Sequence, residues 1–262
     1  MVGKLLLRGM LVGLVAGLLT FAFLKLVGEP QVDRAIAFET HLDAAKAKAA
    51  VDEAKASGRP APTEAAAEEI VSRPTQAGIG LFTGVMVYCT AFGGLFALAF
   101  ALIYGRLGTL GPRGTSAVLA GLGLVAVYIV PNLKYPANPP AVGDPETIGM
   151  RTGLYFALVA LSLAAMIASA LVRKRLVPSQ GDWNAALWAG ALYLVLMAVV
   201  TALFPEVNEV PEQFPAATLW SFRVASFGAQ AVLWATLGLL FGGLTQRVMA
   251  QPGRMQLGAA VA

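Results

Sequence analysis

One cysteine and one histidine occur in 262 residues, which excludes an internal disulfide framework and a Cys/His zinc site. Charge is nearly as scarce. Asp, Glu, Lys and Arg make up 13% of the chain, against about 25% in an average soluble domain, so the polar cover of a soluble fold is missing. No G-x-x-x-x-G-K-[ST] loop is present, which excludes nucleotide hydrolysis through a P-loop. Nor is there a nucleophile–base pair or a metalloprotease motif: Cys89 stands alone in an apolar run and His41 lies outside one. An enzyme is therefore not expected. The net charge of +4 does not point to nucleic acid, because the bases flank apolar runs and form no stripe interleaved with aromatics.

What is abundant is apolar sequence, at 57%. A bilayer core about 30 Å thick needs about 20 apolar residues as helix, since the backbone must satisfy its own hydrogen bonds there. Six segments qualify, at about 5–27, 79–104, 115–133, 152–172, 184–204 and 224–244. The expected fold is all-α: one polytopic membrane domain, 1–262, with six transmembrane helices and an external loop at 28–76. Lys4 and Arg8 precede the first run, but Lys25, Leu26 and Val27 occupy the place of a small-residue cleavage site, so a retained anchor is expected. If the spans alternate, Lys4, Arg8, Arg106, Arg113, Arg173, Lys174, Arg175, Arg247 and Arg254 fall on one side with Asp182 as its only acid. By the positive-inside rule that side is the cytoplasm, placing both termini inside. The other fourteen acids fall outside. Gly9, Gly13 and Gly17 share one face of span one, and Gly238 and Gly242 one face of span six. This spacing lets backbones approach, and packing within the chain is preferred to an oligomer face.

The external loop reads as two short helices, one from Ile36 to about Lys55 and one capped by Thr63 and ending before Pro74. A solvated hairpin without chemistry is the simplest role for residues 43–72. Residues 131–147 hold five prolines, two asparagines and two acids, and proline content predicts an extended, stiff segment rather than helix. Residues 204–223 are similar: Pro205, Pro211 and Pro215 bracket Glu206, Asn208, Glu209 and Glu212, with no base before Arg223. Such carboxylates repel one another unless a cation or base compensates. Lys134 and Arg151 are on the right side to do so. Glu29, Asp33, Glu39 and His41 form a third group after span one. The available ligands are those of a harder divalent cation, although acidic external loops often bind only solvent.

These motifs resemble a known family. Glu29-Pro30-x-Val32-Asp33-x-Ala35-Ile36-x-x-Glu39, the run Lys134–Ile148 with Arg151-Thr152, and Asn208-Glu209-Val210-Pro211-Glu212-x-Phe214-Pro215-Ala216 with Leu219-Trp220-x-Phe222-Arg223 resemble the CbtA family of predicted cobalt transporter subunits. The resemblance covers essentially the whole chain. It implies a bacterial inner-membrane protein for cobalt uptake in cobalamin synthesis, working with CbtB, a small single-span subunit carrying a histidine-rich segment. Its only histidine in the first external region, His41, leaves no self-contained imidazole site.

The expected function is capture and uptake of Co²⁺ or a similar divalent ion, which is cargo; no tightly bound cofactor is expected. Candidate metal ligands are Glu206, Glu209, Glu212, Asp144 and Glu146, with Asn138 and Asn208 as neutral oxygens and Glu29 and Asp33 at the entrance. Arg151 and Arg223 are expected to pair with acids and shape the loops. The expected partners are the bilayer, a CbtB-like subunit and the ion, with no nucleic acid. The span cores contain no Asp, Glu, Lys, Arg or His, the usual ion-path residues. That absence favours an alternative, a non-conducting scaffold that recruits or stabilises a separate permease.

Overall fold

The computed structural model describes residues 2–58, 71–106 and 108–248, and among these every regular element is helical. There are five continuous helical stretches: α1 (Val2–Ala56), α2 (Arg73–Ile103), α3 (Pro112–Lys134), α4 (Ile148–Leu203) and α5 (Ala216–Val248). All five are long and apolar enough to cross a bilayer. The second short helix expected from Thr63 falls outside the described residues.

α4 is a hairpin rather than a rod. Gly181 lies at φ 74°, ψ 167° inside it, a backbone region open in practice only to glycine. The chain reverses there. Ser162 and Tyr193, which would be about 47 Å apart along a straight helix, share a hydrogen bond between their hydroxyls at 2.8 Å. Arg173 Nη2 donates to Asp182 Oδ1 at 2.9 Å and ties the turn. The two arms, 148–180 and 182–203, bury Leu158, Ala165, Tyr193 and Met197 between them. Two of the apolar segments anticipated from the sequence are thus present as antiparallel arms of one element.

Two prolines sit where a break was expected and do not make one. The external helix was to begin near Ile36, but α1 runs unbroken through Glu29-Pro30 to Ala56. Likewise α3 continues through Pro131 to Lys134, so the segment 131–147 is non-helical only from Tyr135, and Pro145–Thr147 forms a single tight turn. The same device serves both. A π-helical stretch, Leu24–Gly28 or Leu124–Ile129, precedes the proline. In each, the residue before proline donates five residues back, Glu29 N–H to Leu24 O and Val130 N–H to Val125 O. The wider turn gives the pyrrolidine ring room and absorbs the donor it lacks.

Between lipid-facing helices burial from water supplies little, because acyl chains are as apolar as leucine; close packing must supply the attraction. The glycines provide it. A Cβ on Gly9 would overlap the Gly93 carbonyl, one on Gly13 the Cys89 carbonyl, and one on Gly17 would stand 2.9 Å from Met86 Sδ. α1 and α2 therefore lie antiparallel, backbone on backbone. Gly238 and Gly242 do the same against α3, where an added Cβ would meet Ala120 Cβ at 2.7 Å and Ser116 Cβ at 2.9 Å. Ser116 Oγ donates to Gly238 O at 2.8 Å across that seam. The glycine stripes serve packing within the chain. α5 closes the core with Trp234 and Phe241, which meet Phe92, Phe96 and Phe100 of α2 edge to face.

Candidate functional site

At one end of the bundle the non-helical segments 135–144 and 204–215 fold onto each other and onto the projecting part of α1. A small apolar core fixes them: Ala35 and Phe38 of α1, Val142 and Phe214, with the Phe38 and Phe214 rings at 5.1 Å. Tyr135 OH donates to Pro205 O at 2.8 Å. Proline content lowers the entropy of ordering such segments, so a few contacts hold them. Ala141 stands at φ 68° and Gly143 at φ 113°. The Arg151 guanidinium also lies against the Gly143 backbone, where an added Cβ would displace it.

Glu209 is the electrostatic centre of this cap. Its carboxylate accepts from Asp144 N–H at 2.7 Å and from Thr147 Oγ1 at 2.7 Å. Arg151 Nε lies 3.3 Å from Glu209 Oε2, and Arg151 Nη2 donates to Asp144 O at 2.9 Å. The Thr147 hydroxyl first, then the Asp144 N–H and the Arg151 charge, hold the Glu209 carboxyl below the usual carboxylate range. Arg223 works differently from expectation: among the described residues it pairs with no acid. Its Nη2 donates to Asn138 Oδ1 at 2.9 Å and its Nε to Ala137 O at 3.3 Å.

The other candidates divide into spent and exposed. Glu29 and Asp33 are both clamped by Arg73 Nη2, at 2.5 and 2.9 Å, which joins the projecting part of α1 to the start of α2. Asp144 Oδ1 accepts from Glu146 N–H at 2.9 Å and caps the short turn. Asn208 Oδ1 accepts from Val210 N–H at 3.4 Å. The side chains of Glu146, Glu206 and Glu212 are exposed. Among the described residues no three His, Cys, Asp or Glu side chains are gathered in a way that would hold a metal ion. The cap brings Glu209 to Asp144 and Thr147, and keeps Glu29 and Asp33 apart from them on Arg73.

Beside Glu209 a cleft of about 670 Å³ opens between the ends of α3, α4 and α5. Lys134, Arg151, Arg223, Asn138, Asn208 and Glu209 are its polar lining, and Tyr155 is among its ring-bearing walls. Thr147, Gly143 and Tyr135 were not candidates on sequence. Only the long-range fold gives them partners, although a glycine next to Asp144 in a proline-rich run was a local hint of positive φ.

Long apolar helices carrying a rigid, charged cap at one end define a multi-pass membrane protein of the helical class. A family model described as "Probable cobalt transporter subunit (CbtA)" matches residues 2–246. The chain belongs to the CbtA family. No curated protein and no solved structure matches it.

Proposed function

We propose that this chain is the membrane subunit of a divalent-cation uptake system, with Co²⁺ for cobalamin synthesis as cargo. The observation that carries the reading is the family match over residues 2–246. In this reading the two arms of α4 cross separately, giving six spans in a bacterial inner membrane. The end with Arg106, Arg113, Arg173 and Lys174 faces the cytoplasm, and the cap faces out, in keeping with the positive-inside rule. The exposed carboxylates of Glu146, Glu206 and Glu212 gather the hydrated ion, with Asp144, Asn138 and Asn208 near them. Glu209, Glu29 and Asp33 act through their arginine partners by fixing the cap's shape. A small His-rich, CbtB-like subunit completes the coordination shell. The membrane potential then favours entry by about 2.3 kcal/mol per charge per 100 mV. Cells expressing the chain with the partner should accumulate radioactive cobalt faster than cells with either alone; no uptake in any combination refutes transport.

A second reading, a non-conducting scaffold that stabilises a separate permease, draws on the absence of a three-ligand cluster among the described residues and of ionisable side chains in the span cores. Liposomes containing the purified chain separate the two. A scaffold leaves a cobalt gradient intact, whereas a conducting subunit dissipates it once the partner is added.

A further inference from the structure

The cleft beside Glu209 has the wrong sign for a metal ion. Three cationic side chains, Lys134, Arg151 and Arg223, face one carboxylate there. That carboxylate is already engaged by the Asp144 N–H, the Thr147 hydroxyl and Arg151. Lys134 makes no ion pair among the described residues. Arg151 Nε is buried, 3.3 Å from Glu209 Oε2 without a hydrogen bond to it. The oxygens of the two asparagines each already accept one hydrogen bond, Asn138 Oδ1 from Arg223 and Asn208 Oδ1 from Val210 N–H. Each amide also presents an NH₂ group, which donates. The lining thus offers positive charge and N–H donors, the complement of an anion.

The cleft's edge says where the anion comes from. Leu133 and Ile148 line the same cleft and are 78% and 63% exposed. On a helix end in a membrane protein such side chains meet acyl chains, directly beside the cations. A basic pocket with an apolar lip between helix ends suits a phosphodiester whose tails remain in the bilayer. The volume, about 670 Å³, holds a headgroup with its glycerol. We infer that this cleft binds the phosphate group of an anionic phospholipid, and that the lipid locks α3, α4 and α5 together at the cap. Inorganic phosphate shares the chemistry and is the other source to be separated. This inference does not depend on cobalt transport.

The test uses the full chain in nanodiscs of phosphatidylcholine, with and without phosphatidylglycerol, read by thermal unfolding and by lipid retained in native mass spectrometry. Phosphatidylglycerol should raise the unfolding temperature and stay bound. Lys134→Gln and Arg223→Gln should each weaken retention by about tenfold, the loss of one charge-assisted hydrogen bond to the phosphate. Lys174→Gln, far from the cleft, should not. Among the described residues the Lys134 side chain makes no ion pair, so its variant should fold even if Arg223→Gln does not. Inorganic phosphate added to the phosphatidylcholine discs discriminates the source: stabilisation abolished by Lys134→Gln there would keep the phosphate site but assign a soluble occupant. Identical behaviour of the native chain and Lys134→Gln in every arm overturns the inference, as does Co²⁺ binding that Lys134→Gln strengthens and phosphatidylglycerol does not oppose.

Discussion

Replacing Gly93 by alanine tests whether backbone contact holds α1 to α2. The added methyl would overlap the Gly9 carbonyl and stand 2.8 Å from Gly13 Cα. Ordinary carbon contacts begin at about 3.5 Å, so the helix axes must part by about 1 Å, and a gap of that size forfeits roughly a quarter to a half of each contact's attraction along the seam. Overpacking of this kind costs about 1–3 kcal/mol. Alanine also gains up to about 1 kcal/mol of helix propensity over glycine, which obscures the result for a single variant. Gly84→Ala removes that ambiguity, because Gly84 lies in the same helix with nothing within 4 Å of its would-be Cβ. Propensity cancels between the two, and Gly93→Ala should be the less stable by the overpacking cost alone. Cys89 is the single cysteine and fully buried at this seam, so maleimide labelling in detergent reports its opening. If local opening governs access, labelling should be faster in Gly93→Ala than in Gly84→Ala by roughly 5- to 150-fold. Equal unfolding temperatures and equal labelling for both variants would refute backbone contact as the source of the association.

Gly181→Ala places a side chain at φ 74° and should destabilise the α4 hairpin by about 1–3 kcal/mol, while Gly190→Ala in the same element, with no neighbour within 4 Å, should cost nothing measurable by thermal unfolding. Glu209 should make the cap acid-sensitive: its carboxyl is held below its ordinary value of 4.5, so its stabilisation is complete above that pH and is lost as pH falls through the lower folded value. The protection of amides in residues 135–147, measured against their intrinsic exchange rates, should therefore fall only beneath about pH 4.5, and Glu209→Gln should remove that dependence; an unchanged profile refutes the role of the carboxylate. Arg73 is three-quarters covered and clamps the mostly buried Glu29, so a double-mutant cycle of Arg73→Gln with Glu29→Gln should return a coupling of about 1–2 kcal/mol, and zero coupling would make the clamp incidental.

Much of the architecture was legible because a bilayer leaves few solutions. The apolar runs, the segregation of Arg and Lys from acids, and the glycine spacing each depend on residues close in sequence. Gly9, Gly13 and Gly17 pack as their period implies. What was not legible depended on exceptions to local rules. Pro30 and Pro131 are breakers in isolation, and only a π-helical turn just ahead of each keeps α1 and α3 intact. No residue type announces that turn. Arg223 was assigned to an acid because charge pairs with charge in the absence of geometry; it spends its donors on Asn138 and Ala137 instead.

The same limitation explains why the acid-rich loops look more like a metal site in sequence than in space. A carboxylate counts as a ligand only while its lone pairs are uncommitted. Glu209, Glu29 and Asp33 each face a guanidinium, and a dication reaching any of them must displace that partner or bind beside a positive charge. Displacement would open the loops that Arg151 and Arg73 hold, since the same arginine that neutralises Glu209 also donates to Asp144 O. The exposed acids Glu146, Glu206 and Glu212 carry no such penalty, but exposure also means that water competes for the ion at full strength. Among the described residues no cluster offers three such donors, so tight coordination there would need more. On the reading proposed above, a subunit that brings imidazoles would supply further donors without disturbing either arginine.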